Sequence, residues 1–187
     1  DVTHLLSFNE PDNTDQSNIP VGEAVTLHKN LAQTGLRLGS PAPTESEAFK
    51  WLTDFMAGTR QAQIKVDYMA VHWYDWGSNP ATSPSASAEV IFNRFKTYLA
   101  QVYAEYQLPI WVTEFNANPN RPNSTHAAFL KLALPYLESL PYIERYAYFQ
   151  PSAANSSNGD PNANYFDVGG NITNIGQIYL GHQAAPS

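Results

Sequence analysis

The sequence predicts an α/β fold in which strand–helix units repeat along a parallel sheet. Three observations carry that expectation. Short apolar segments alternate with longer ones of helical spacing. The units recur every ~30–40 residues, the length of a βα repeat. Polar and aromatic clusters follow directly on the apolar segments, where the ends of such strands carry function. The repeat alone does not choose between an open sheet and a closed barrel.

The first strand, Leu5–Phe8, ends abruptly in Asn9-Glu10-Pro11-Asp12. A helical pattern from about Pro20 to Thr34 is closed by Gly35, since glycine accepts the left-handed turn that ends a helix. The second strand, Leu36–Leu38, leads into Ser40-Pro41-Ala42-Pro43. Thr44 with Glu47 three residues later reads as a capping box, and Gly58 as that helix's end. The third strand, Val66–Tyr74, is followed by a Pro/Ser-rich loop from Gly77 to Ser87.

Val90, Ile91, Phe95, Tyr98, Leu99 and Val102 lie at helical spacing within a long helix from about Ala88 to Gln107. A fourth strand, Ile110–Phe115, precedes a helix from about Ser124 to Leu140, which Pro135 should kink. The fifth strand, Glu144–Phe149, runs into a polar stretch from Pro151 to Gly170, read as a rim loop. A short helical segment near Ile175–Leu180 closes the series.

The chain's 187 residues suit one domain with a real core. Its net charge of −7 argues against nucleic acid or an anionic membrane as partner. Charged residues are few, while 11 Tyr, 9 Phe and 4 Trp favour neutral polar ligands that can be stacked upon. Without cysteine there is no disulfide or thiolate chemistry. No apolar run approaches the ~20 residues of a membrane span. Asp1 is not an initiator methionine, so processing or trimming is expected. Sequons at Asn123, Asn155 and Asn171 give mild support to a secretory route.

Four strand ends carry suggestive groups: Asn9-Glu10, His72-Trp73-Tyr74, Thr113-Glu114-Phe115 and Tyr148-Phe149-Gln150. Glu10 and Glu114 stand three βα units apart, and a closed barrel would bring them to one mouth. Two facing carboxyls are the minimum for hydrolysing a glycosidic bond. A strand-end glutamate taken alone is more often a solvated charge or a cap partner. Two of them, each after an apolar strand and beside aromatics, favour catalysis. Alternation along a strand puts His72 and Tyr74 on one face and Trp73 on the other, toward the core.

Glu45 is read as a helix-start acid, Glu47 as part of the cap, and Asp67 as a loop hydrogen-bonder. Ser7, Ser40 and Thr113 lack a G-x-S-x-G context, so a serine hydrolase is poorly supported. The other four histidines show no ligand spacing. No metal site and no cofactor are expected.

The segments "SFNEPD", "VDYMAVHWYD", "PIWVTEF", "ERYAYFQ" and "NITNIGQIYL" together resemble glycoside hydrolase family 128, a clan A family of microbial enzymes acting on β-1,3-glucans. The resemblance implies a (β/α)8 TIM barrel in which this chain supplies about strands four to eight. It also implies a preceding segment of roughly 60–70 residues, the length of two short βα units and a strand. Glu10 would be the general acid/base, with its pKa raised, and Glu114 the nucleophile. Asn9 would hold the sugar's 2-hydroxyl, and His72 and Tyr74 would orient Glu114 and contact the sugar.

Tyr148 and Phe149 fall where the family commonly carries Trp-Phe, so Tyr148 is a departure. Trp76, Phe115 and Phe149 are candidates for stacking on pyranose faces. The expected protein is a secreted monomer, extracellular or in a cell wall, from a fungus or other microbe, with a β-glucan polysaccharide or oligosaccharide as partner. A carbohydrate-binding barrel with little turnover, and a clan A enzyme on another β-glucan or mannan, remain the alternatives.

Overall fold

A computed structural model describes residues 2–78, 85–149 and 160–182. Five strands run parallel in chain order: β1 (His4–Leu5), β2 (Arg37–Leu38), β3 (Met69–Trp73), β4 (Ile110–Phe115) and β5 (Ile143–Tyr148). They form a two-stranded and a three-stranded sheet, joined by an isolated parallel bridge between Gly39 and Tyr68. A second bridge, Asn9 to Ala42, continues the β1–β2 pairing up to the residue before Glu10. The predicted α/β class with parallel strands is therefore observed, with β1 and β3 shorter than their apolar runs.

Helices α1 (Val21–Ala32), α2 (Trp51–Gln61), α3 (Ala88–Tyr106), α4 (Asn123–Ser139) and α5 (Asn174–Gly181) follow the strands in turn. Gly35 takes the expected left-handed turn beyond α1 at φ +73°. Ser87 caps α3 by accepting from the Val90 N–H. α4 runs unbroken through Pro135. Among the described residues, no helix is long and apolar enough to cross a membrane. Gln150, Asn155 and parts of the two polar loops predicted after β3 and β5 (79–84 and 151–159) lie outside the described residues.

The capping-box expectation is corrected. The Thr44 side chain caps nothing, and the segment after it is a 3-10 turn, Glu45–Phe49. Lys50, at φ −133° and ψ −83°, separates that turn from α2. Gly58 is not a terminator either. It sits inside α2, and a Cβ there would meet Val25 Cγ2 at 2.8 Å, so glycine lets α1 and α2 approach closely.

Strand alternation sorts the side chains. Met69, Val71 and Trp73 of β3 face the helices and are buried in the core. Trp73 packs against Phe95 of α3 and Phe129 of α4, with ring centres 4.8 and 5.8 Å away. Ala70 and His72 point to the opposite face. At the start of the strands, Arg37 of β2 grips Glu144 of β5 with two hydrogen bonds of 2.6 Å. That pair ties early and late strands together on the same face.

Candidate active site

A bulge decides which residues of β4 reach the site. Val71 pairs with Val112 and His72 pairs with Glu114, so Thr113 and Glu114 together oppose one residue of β3. Strict alternation from Trp111 would have sent Glu114 toward the helices. The extra residue re-aims it to the His72 side, as bulges beside active sites commonly do. Phe115 then turns into the core.

Glu10 reaches the same place from β1. Its backbone has φ +38°, a left-handed conformation that a non-glycine residue adopts only when its surroundings impose it. The Glu10 N–H donates to the Ala42 carbonyl at 2.7 Å, and Pro11 stiffens the exit. Its Oε2 accepts from Asn13 Nδ2 at 3.0 Å.

His72 lies between the two glutamates. Its Nδ1 is 3.0 Å from Glu10 Oε1 and 3.4 Å from Glu114 Oε2. Both neighbours are carboxylate oxygens, so Nδ1 carries the proton and donates. The Tyr74 hydroxyl donates to Glu114 Oε2 at 2.5 Å. Burial, reinforced by Glu114, pushes the Tyr74 phenol far above its ordinary range, so it stays a donor. One ligand atom each of Glu10, His72 and Glu114 lies within 4.8 Å of the others. That spacing would also admit a divalent cation, although the same lone pairs serve acid–base and nucleophilic work equally well.

The expected rise in the Glu10 pKa is not found. The hydrogen bond from His72 holds the carboxyl below its ordinary value, outweighing the opposing effect of burial, and Asn13 adds to the lowering. The His72 N–H thus favours the ionised form of Glu10.

Asn9 is exposed and donates to Gln16 Oε1 at 3.1 Å. With His72, Thr113 and Glu114 it lines a cavity of about 220 Å³. Trp76 and Phe149 are 51% and 41% exposed, so both can present a ring face, and Phe149 meets Tyr74 edge-on at 5.7 Å.

Two candidates are corrected. Phe115 is fully buried, stacked 5.3 Å from Phe95, and has no free face for a sugar. Tyr148 is 4% exposed, and its hydroxyl bonds to His126 Nδ1 at 3.0 Å inside the core. The departure at Tyr148 is thus an internal polar pair and not a stacking platform.

Sequence reasoning passed over Asn13, Glu45 and Asn118. Asn13 directly follows the Asn9–Asp12 cluster, where an amide three residues after a strand-end acid was a usable signal. Glu45 accepts backbone N–H groups from Tyr74, Trp76 and Gly77. Asn118 Nδ2 donates to the Tyr74 carbonyl at 2.8 Å. Neither had a local signal, because the partners are 29 or more residues away. Asp67 does bond the Leu38 N–H, at 2.7 Å, as expected.

A sequence-family model described as the glycosyl hydrolase catalytic core matches residues 1–179. A family 128, subgroup I endo-β-1,3-glucanase from Amycolatopsis mediterranei, crystallised with laminaritriose, is 31% identical. The match covers 96% of this chain and 72% of that one, with a TM-score of 0.78. A subgroup II endo-β-1,3-glucanase from Sorangium cellulosum is 26% identical over 96% and 69% of the two chains, with a TM-score of 0.71. Alkali-sensitive linkage protein 1 of Schizosaccharomyces pombe is 29% identical over 94% of this chain. The chain spans about a third, 32%, of that relative's length.

Proposed function

The chain belongs to the glycosyl hydrolase catalytic core family and, within it, to glycoside hydrolase family 128, and from that membership we propose that it hydrolyses β-1,3-glucan by double displacement. The endo-β-1,3-glucanases of A. mediterranei and S. cellulosum support the substrate. One observation carries the mechanism: an oxygen of Glu10 and one of Glu114 lie within 4.8 Å of each other. Retaining enzymes hold their carboxyls ~5–5.5 Å apart, whereas inverting ones need ~6.5–9.5 Å to seat a water.

In the first step a Glu114 oxygen attacks the anomeric carbon while Glu10 protonates the departing glycosidic oxygen. In the second, Glu10 takes a proton from water, whose oxygen displaces Glu114 and restores the carboxylate. Glu10 needs its proton only with the sugar in place. A pyranose over the pair excludes water and makes the Glu10 charge costlier, moving it toward the acid form. Asn9 holds the 2-hydroxyl, and Trp76 and Phe149 flank the ring faces.

The same proposal gives β1 to β5 places four to eight of an eight-stranded barrel. A polymeric substrate places the enzyme outside the cell or in a wall.

The lowered Glu10 favours one second reading, binding of β-glucan with little turnover. Sugar release from laminarin separates the two. Release by the wild type that disappears in Glu114→Gln supports the hydrolase, whereas retention of laminari-oligosaccharides without release, unchanged in that variant, supports the binder. Parallel assays on β-1,4-glucan and mannan test the linkage.

A further inference from the structure

Resting on the hydrolase reading above, we propose that Glu45 is a positioning residue whose carboxylate sets the Tyr74 hydroxyl against Glu114 and ties that turn to the loop carrying Glu10. Glu45 is mostly buried, and it spends both oxygens on another segment's backbone. Oε2 accepts from Tyr74 N–H at 2.8 Å and Trp76 N–H at 3.0 Å, and Oε1 accepts from Gly77 N–H at 3.2 Å. No neighbour on its own 3-10 turn receives it in this way, which replaces the helix-start role.

The turn it holds needs holding. Asp75 lies in the left-handed region at φ +57°, unfavourable for a non-glycine residue unless the surroundings impose it. Three anchors do so. Glu45 takes the N–H groups, Asn118 Nδ2 donates to the Tyr74 carbonyl at 2.8 Å, and the Asp75 carboxylate accepts from Arg94 and Arg121. With the peptide of Tyr74 bonded on both sides, its ring leaves the turn in one direction. That direction ends at Glu114 Oε2, 2.5 Å from the hydroxyl.

The residue before Glu45 completes a second link. Thr44 donates its backbone N–H to Asp12 Oδ1 at 2.9 Å and its hydroxyl to Asp12 Oδ2. Asp12 belongs to the Glu10–Asn13 loop, in which Asn13 N–H donates to the Glu10 carbonyl at 3.0 Å. Thr44 and Glu45 therefore form a two-residue strut, with the acid/base loop on one side and the turn that orients the nucleophile on the other. Neither residue lines the cavity beside Glu114.

The test uses kinetics on laminari-oligosaccharides with the intact protein carrying Glu45→Ala, Tyr74→Phe or both. Losing the Tyr74 donor removes a hydrogen bond made to the carboxylate form of the nucleophile, so the acidic limb of kcat/KM moves to higher pH. Both single variants should show that movement and a loss of kcat of roughly tenfold or more, with KM changed by less than about threefold. Because Glu45 acts through Tyr74, the double variant should be no worse than about the poorer single.

Multiplying losses, or a Glu45→Ala limb at its wild-type pH, would overturn the proposal. Glu45→Gln keeps one acceptor oxygen for Tyr74 and Trp76 and should recover part of the loss. If Glu45→Ala fails to fold on thermal unfolding, the Gln variant carries the same limb test. Carboxyl NMR titration of Glu114 in these variants reads the coupling without turnover. A wild type inactive on laminarin whose Glu114 pKa still rises in Glu45→Gln would sink the hydrolase reading and leave the coupling standing. An unmoved Glu114 in an active enzyme would sink only the strut.

Discussion

His72 Nδ1 stands 3.0 Å from Glu10, to which it is hydrogen-bonded, and 3.4 Å from Glu114, so one buried imidazole lies between the two carboxyl groups that carry the proposed chemistry. The arrangement favours the ionised form of Glu10. It makes His72 a control point for the pH response.

Replacing His72 by Ala removes the main cause of the lowered Glu10 pKa. Glu10 must be protonated to act as acid, so the basic limb of kcat/KM follows its pKa and should move to higher pH. The rate at the optimum should fall roughly 10–100-fold, the worth of a hydrogen bond to a charged group. A pH–rate profile of the variant checks both; an unmoved basic limb would assign that limb to another group.

The two glutamates should be told apart by azide. Glu114→Ala with azide should yield the α-glycosyl azide, because the small anion takes the nucleophile's place on the vacated face. Glu10→Ala should yield the β-product, because azide then intercepts the glycosyl–enzyme intermediate. Product NMR decides, and the reversed pattern would exchange the two assignments.

Exposure should separate the aromatic residues. Trp76→Ala and Phe149→Ala should raise KM for laminari-oligosaccharides about 2–10-fold, in line with ~0.5–1.5 kcal/mol per aromatic contact, with unfolding nearly unchanged. Phe115→Ala should instead cost about 3–5 kcal/mol of stability through the cavity left against Phe95 and Phe129. Denaturant melts beside KM values check the division.

Burial holds the His126 imidazole down at about 4, against 6.5 for an ordinary histidine. Between those values the unfolded chain takes up a proton that the native one excludes. Stability is therefore complete above pH 6.5 and declines as pH falls toward 4, by up to about 3 kcal/mol. His126→Gln should be less stable at pH 7.5 yet show a shallower decline between pH 6.5 and 4.5. Denaturant midpoints at those pH values measure it.

Much of the fold was legible in the residues. Helical spacing from Val90 to Val102 located α3, the apolar runs located β3 and β4, and alternation placed His72 opposite Trp73. The strand-end acids of "FNEPD" and "VTEF" marked the candidate site. Where the sequence misled, the reason was a partner distant along the chain. Thr44 and Glu47 matched a cap, but Thr44 bonds Asp12 instead, and Glu45 serves a turn 29 residues later. Phe115 looked like a site aromatic because it follows Glu114, yet once the bulge at Thr113–Glu114 has turned Glu114 to the His72 side, alternation sends the Phe115 ring into the core.

By itself, then, the sequence determined the order of strands and helices, many of the core-facing residues and the two candidate carboxylates. Each of these follows from local periodicity and chain chemistry. Only the tertiary structure decided which way the Glu10 carboxyl is shifted and what holds the two in place. The site of a proton depends on burial and on neighbours brought within about 3 Å by folding, and no spacing along the chain records that. Glu10 was found as an acid at the end of a strand, but His72 holds its pKa below the ordinary value, and Thr44 with Glu45 links its loop to the turn beside Glu114.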